Sequence, residues 1–133
     1  MFRKSVMAIV ASTLMLQGCI SFNSLADAKN AKGMGASREF SADKQRVWQQ
    51  TLSIIEASDL SVVSEDETKG LILAQQPISP LSLTAGQNVA VYVTERYGKT
   101  RVEVINKKAV GEIEFVSKDW DDYILDKLGE RVR

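Results

Sequence analysis

The only thiol in this 133-residue chain belongs to Cys19, which closes the run Leu16-Gln17-Gly18-Cys19. A thiolate can be alkylated to a stable thioether. If the chain is cut just before the cysteine, the freed α-amino group can also be acylated. Carboxylates offer a second chemistry. Asp119, Asp121 and Asp122 surround Trp120, and Glu65-Asp66-Glu67 form an acidic run. Paired carboxylates serve general acid–base catalysis or bind calcium. A calcium loop needs alternating oxygen ligands, a turn glycine and a distal Glu, whereas Tyr123-Ile124-Leu125 follows Asp122 at once. Acids favoured by the dipole in the first turn of a helix account for the 119–122 group. A solvated turn accounts for Glu65 to Glu67. Ser41-Ala42-Asp43-Lys44 has the spacing of a Ser-Lys dyad and only the spacing, so Ser41 reads better as a helix cap.

Two absences narrow the chemistry. The chain has no histidine, which removes Ser-His-Asp and Cys-His catalysis and the commonest zinc sites. With Cys19 modified there is no thiolate nucleophile, thiolate metal site or disulfide. The sequence therefore reads as a non-enzyme without metal or cofactor.

Arg3 and Lys4 make a short basic n-region, and Ser5 to Leu16 is mostly apolar. About a dozen residues are too few to span a bilayer as a helix, which takes roughly 20, so the segment fits the h-region of a secretory signal. Gly18 sits directly before Cys19 and Leu16 lies three positions before it. Residues 1–19 thus resemble a bacterial lipoprotein precursor with its lipobox. The resemblance implies that Leu16, Gln17 and Gly18 are read by a dedicated signal peptidase and that residues 1–18 are removed. It also implies that Cys19 carries a covalent diacylglycerol and an N-acyl chain. Two or more chains anchor a protein firmly, because each buried CH₂ contributes about 0.8 kcal/mol. Residue 20 is Ile and not Asp. In such families this favours the periplasmic face of the outer membrane over the inner membrane.

What remains is one domain's worth of chain. Of the 17 basic and 17 acidic residues, two basic ones lie in the leader, so a chain starting at Cys19 has a net charge of −2. No basic patch interleaves with aromatics, so nucleic acid is not an expected partner.

Residues 19–37, with Gly33-Met34-Gly35, show no sustained apolar period and read as a lipidated N-terminus and flexible tether. Residues 38–133 read as a single globular domain. Glu39-Phe40 suggest a short strand or lead-in. Trp48, Leu52 and Ile55 recur at i, i+4, i+7, which predicts a helix over 43–57. Leu60, Val62 and Val63, then a polar turn ending at Gly70, then Leu71 to Ala74 predict a hairpin. Pro77 and Pro80 open a loop over 77–87. Val89, Val91 and Val93 alternate with polar or small residues, and so do Val102 and Val104 beyond a turn at Tyr97-Gly98-Lys99-Thr100. Ile113 and Phe115 suggest one more short extended piece. Trp120, Ile124, Leu128 and Val132 predict a closing helix, started by Ser117 or Asp119. The fold class is α+β: a two-layer domain in which a four-stranded antiparallel meander is flanked in sequence by two helices packed on one face. Its expected core includes Trp48, Ile55, Leu73, Val91, Val102 and Ile124, so both tryptophans read as core and not as a ligand cage.

The runs Phe40-Ser-Ala-Asp-Lys44, Leu60-Ser-Val-Val-Ser-Glu-Asp66 and Lys69-Gly-Leu-Ile-Leu-Ala74 resemble small proteobacterial envelope lipoproteins with a helix-grip domain. The lipoprotein subunit of the outer-membrane β-barrel assembly machinery is of that type. The resemblance implies a non-enzymatic binding or assembly module held at the membrane, with an envelope protein as partner. The alternative is a periplasmic module that binds a small ligand or inhibits a hydrolase. Leu81 and Leu83, on a loop longer than a hairpin needs, are the expected partner contacts. Arg101, Lys107 and Lys108 form a small basic edge. Glu103 and Asp122 converging in a cleft would instead point to an enzyme.

Overall fold

A computed structural model of the chain describes residues 25–77, 87–107 and 119–133. Helix α1 (Leu25–Asn30) is followed by strand β1 (Ala36–Phe40) and helix α2 (Lys44–Glu56). Strands β2 (Ser61–Asp66), β3 (Leu71–Gln75), β4 (Asn88–Arg96) and β5 (Lys99–Lys107) come next, and helix α3 (Trp120–Arg131) closes the order. The strands form one antiparallel sheet in the order β1-β5-β4-β3-β2. The expected meander is β2 to β5. The fifth strand, β1, runs beside β5 with Phe40 opposite Thr100 and Ala36 opposite Val104. Four strands were expected. The fifth escapes a periodicity reading because only Phe40 at its end is buried.

Strand alternation sorts the side chains onto two faces. Ile72, Val89, Val91, Val93, Val102 and Val104 point to one face. There they form one cluster with Val47, Trp48, Ile54 and Ile55 of α2 and with Trp120, Ile124 and Leu128 of α3. Both long helices therefore pack on one face. Trp120 is fully buried, and its ring meets Tyr123 edge-on at 5.5 Å. Leu52 and Val62 lie at the rim of this cluster, whereas Leu73 points to the opposite face.

The ends of the elements follow local chemistry. Asp43, not Ser41, caps α2: its carboxylate accepts the Arg46 N–H at 3.2 Å. Both residue types cap well, and the helix begins one residue after Asp43. Thr100 Oγ1 donates to the Ala42 carbonyl at 2.7 Å, which ties the β1–α2 connection to the start of β5. Between β2 and β3, Asp66 accepts the Lys69 N–H at 3.1 Å and Gly70 has φ +65. A Cβ at Gly70 would strike the Val93 carbonyl oxygen, so this turn requires glycine. The β4–β5 hairpin turns on Tyr97 (φ 53) and Gly98 (φ 76), both left-handed as a two-residue type I′ loop requires.

The second face of the sheet is where the expected layout changes most. Residues 25–37 were expected to be part of a flexible tether. They instead contain α1 and the first residues of β1. Ala28 and Ala31 pack with Leu71, Ala90, Tyr92 and Ile105 in a second, smaller cluster. The layers are thus α1, sheet, then α2 with α3.

Candidate functional site

Of the sequence-predicted site residues, Leu16, Gln17, Gly18 and Cys19 lie outside the described residues, as do Leu81, Leu83 and Lys108 and the extended piece at Ile113 and Phe115. The geometry that bears on them is the way the chain leaves the domain toward Cys19, because that sets where anything at Cys19 can reach.

That exit is locked by three kinds of contact. α1 presents Ala28, fully buried, to the sheet, and Ala31 packs beside it just past the helix end. Alanines at i and i+3 let the helix backbone approach the strands closely. The Tyr92 hydroxyl donates to the Lys29 carbonyl at 2.7 Å, close to the helix's C-terminal end, where carbonyls lack intrahelical partners. The Lys32 ammonium stands 4.9 Å over the Tyr92 ring. Just beyond α1, the Gly33 N–H donates to Glu103 Oε1 at 2.9 Å and the Gly35 N–H to Oε2 at 3.1 Å. Glu103 is only 2% exposed. A buried carboxylate is costly without partners, and two backbone donors supply them. Gly35 also runs against the sheet backbone: a Cβ there would strike the Val104 carbonyl oxygen and stand 2.7 Å from Ile105 Cγ1.

Burial and the neighbouring Glu103 charge both raise the Tyr92 pKa above the ordinary tyrosine value. Both causes oppose a phenolate, so the phenol stays a donor to Lys29 through the physiological range.

The carboxylate pair that would have pointed to an enzyme is not assembled. Glu103 faces α1, whereas Asp122 lies on α3 across the sheet. Glu103 is also already occupied by Gly33 and Gly35. Asp121 and Asp122 occupy the first turn of α3, with Asp119 as its N-cap residue. Glu65 and Glu67 are exposed at the β2–β3 turn. Among the described residues, no three His, Cys, Asp or Glu are grouped to hold a metal ion. Arg101 donates to Ser37 Oγ at 3.2 Å on the α1 side of the sheet, so the basic edge begins there.

Sequence reasoning missed Glu103 as a structural anchor, and missed α1 with it. Glu103 itself gave no signal, because it alternates with Val102 and Val104 and reads as a solvated outward position. The available signal was the apolar Leu71, Leu73 and Ile105 on that same second face. Among the described residues no helix is long and apolar enough to cross a membrane. No protein-family model matches the chain, and no curated protein matches it.

Proposed function

We propose that the protein is a lipid-anchored lipoprotein of a bacterial envelope, acting as a non-enzymatic binding or assembly module on the periplasmic face of the outer membrane. The observation that carries this reading is Leu16-Gln17-Gly18-Cys19 at the end of a short basic-then-apolar leader, with no other cysteine in the chain. The domain behind it supports the same reading. Glu103 is spent on backbone donors, and Asp43, Asp119, Asp121 and Asp122 stand at helix starts. The layer between α2 and the sheet is filled by Trp48, Ile54, Ile55 and the valines of β4 and β5. A filled layer favours a surface that meets a protein partner over a groove that encloses a small ligand.

The test is intact mass and membrane fractionation of the native protein beside Cys19→Ser. The expected result is a wild type that has lost residues 1–18, gained acyl mass and tracks with outer-membrane markers, and a variant that does none of these. An unmodified Cys19 in cells overturns the reading. If the anchor stands, crosslinking in that membrane identifies the partner.

A further inference from the structure

We propose that the α1 side of the domain lies against an anionic bilayer surface, with Lys29, Lys32 and Met34 at the contact. The proposal rests on the lipid-anchor reading above and adds an orientation to it. The argument begins with reach. Cys19 and Leu25 are six residues apart, and extended chain spans at most about 3.5 Å per residue, so α1 begins within roughly 20 Å of the lipidated residue whatever path the intervening chain takes. A domain of this size is roughly 30 Å across. A leash that short, attached on one face, cannot pass around the domain and turn the opposite face to the membrane.

The leash is also attached rigidly. Ala28 is fully buried on the sheet, Tyr92 holds the Lys29 carbonyl, and Glu103 holds the Gly33 and Gly35 N–H groups. With that docking in place, α1 and the sheet turn toward the bilayer as one body.

The surface presented suits a bilayer with anionic headgroups. Lys29 and Lys32 are exposed, and Met34 is 81% exposed at the tip of the loop that follows them. Asp27 is the one acid between Cys19 and Met34. The Glu103 charge, stabilised but not neutralised by its two backbone donors, is offset by Arg101 on the same face of the sheet. The far side, α2 and α3 together, carries Glu56, Asp121, Asp122, Asp126 and Glu130 against Lys44, Arg46, Lys127 and Arg131, a slight excess of acid. The two sides therefore differ in sign, and the basic one carries the short leash. Basic residues near an anionic surface gain from its potential, and an apolar tip beside them enters the headgroup layer.

The experiment uses the full acylated chain in vesicles of equal parts phosphatidylethanolamine and phosphatidylglycerol. Because Cys19 is a thioether, a cysteine introduced elsewhere is the only site for a fluorophore. Met34→Cys and Asp122→Cys are labelled in turn and exposed to lipids with a nitroxide on the headgroup. Quenching at residue 34 several-fold above that at residue 122 is the expected result. Equal quenching, or stronger quenching at 122, in protein whose mass shows the acyl chains overturns the orientation and leaves the anchor intact. Protein from membranes that lacks acyl mass overturns the anchor and this proposal together. In Lys29→Glu/Lys32→Glu the quenching at 34 falls, since each basic residue at such a surface is worth about a fivefold change in partition. Unchanged quenching in that variant removes the lysines from the contact.

Discussion

Glu103 and Gly33 stand 70 positions apart in sequence, yet the carboxylate of one accepts the backbone N–H of the other at 2.9 Å. The second carboxylate oxygen takes the Gly35 N–H. One side chain on a central strand therefore holds the segment on which the position of the whole domain relative to Cys19 depends. Glu103→Ala leaves both donors without their charged acceptor at a part-buried site, which costs about 1–3 kcal/mol. Glu103→Gln keeps one acceptor oxygen and has the smaller effect. Urea denaturation gives the two values, and amide exchange at Gly33 and Gly35 locates the loss. Equal stability of Glu103→Ala and wild type would show that the carboxylate does not hold the arm.

Gly35 separates a steric requirement from a conformational one. Its Cβ would meet the Val104 carbonyl oxygen and Ile105, whereas a Cβ at Gly33 meets nothing but must sit at φ +92. Backbone cannot yield as a flexible side chain can. Gly35→Ala therefore pushes the arm off β5 and costs about 1–3 kcal/mol, the range for overpacking a tight site. Gly33→Ala stays near 1 kcal/mol, the scale of a non-glycine residue held left-handed. Thermal melts of the two variants side by side decide the order. The reverse order would mean that the arm does not run where the structure has it.

The parts of this fold that were legible in sequence are those with a long, apolar period. Trp48, Leu52 and Ile55 announced α2, Trp120, Ile124 and Leu128 announced α3, and Val89, Val91 and Val93 against Val102 and Val104 announced the central hairpin. α1 was not legible because it is six residues long and buries alanines, and Ala28 and Ala31 amid Asp, Lys and Asn look like a solvated linker. β1 was half legible. Arg38 sits mid-strand on the helix-facing side, where its guanidinium donates to the Leu125 carbonyl and to Asp126 at 3.0 Å. A charge that leans over a helix end reads, in sequence, like a break in a strand. The cap of α2 fell to Asp43 over Ser41 for a reason that spacing does not encode, since either side chain could accept from the first turn.

Tyr92 sets a pH limit on the arm. Burial and the Glu103 charge raise its pKa above the ordinary tyrosine value near 10. A group whose folded pKa is raised stabilises the fold fully below the unfolded value and loses that contribution as pH climbs through the folded value. Ionisation also removes the hydroxyl that donates to the Lys29 carbonyl. The stability of the wild type should therefore decline above about pH 10, and Tyr92→Phe, which has no proton to lose, should show a shallower decline. Absorbance of tyrosinate at alkaline pH follows the same event. Identical alkaline profiles for the two proteins would remove Tyr92 from the effect.

Ala28→Glu tests whether the small cluster under α1 is separable from the large one. Ala28 is fully buried against the sheet on the side opposite α2 and α3. A carboxylate forced there without a partner costs more than the docking of a six-residue helix can supply, so α1 leaves the sheet while the main core holds. Trypsin should then cut after Lys29 and Lys32 faster than in the wild type. The urea transition reported by Trp48 and Trp120 should move by less than the ~2–5 kcal/mol typical of a damaged core. Release of α1 also changes the leash. The free chain would run from Cys19 to β1 at Ala36, about 60 Å at full extension, which is longer than the domain is wide. A label at Arg101→Cys, on the α1 face of the sheet and off the released segment, should be quenched more than one at residue 122 in the wild type. It should lose that preference in acylated Ala28→Glu, even though Lys29 and Lys32 are still present. A preference that survives would mean that the docked arm does not set the orientation of the domain.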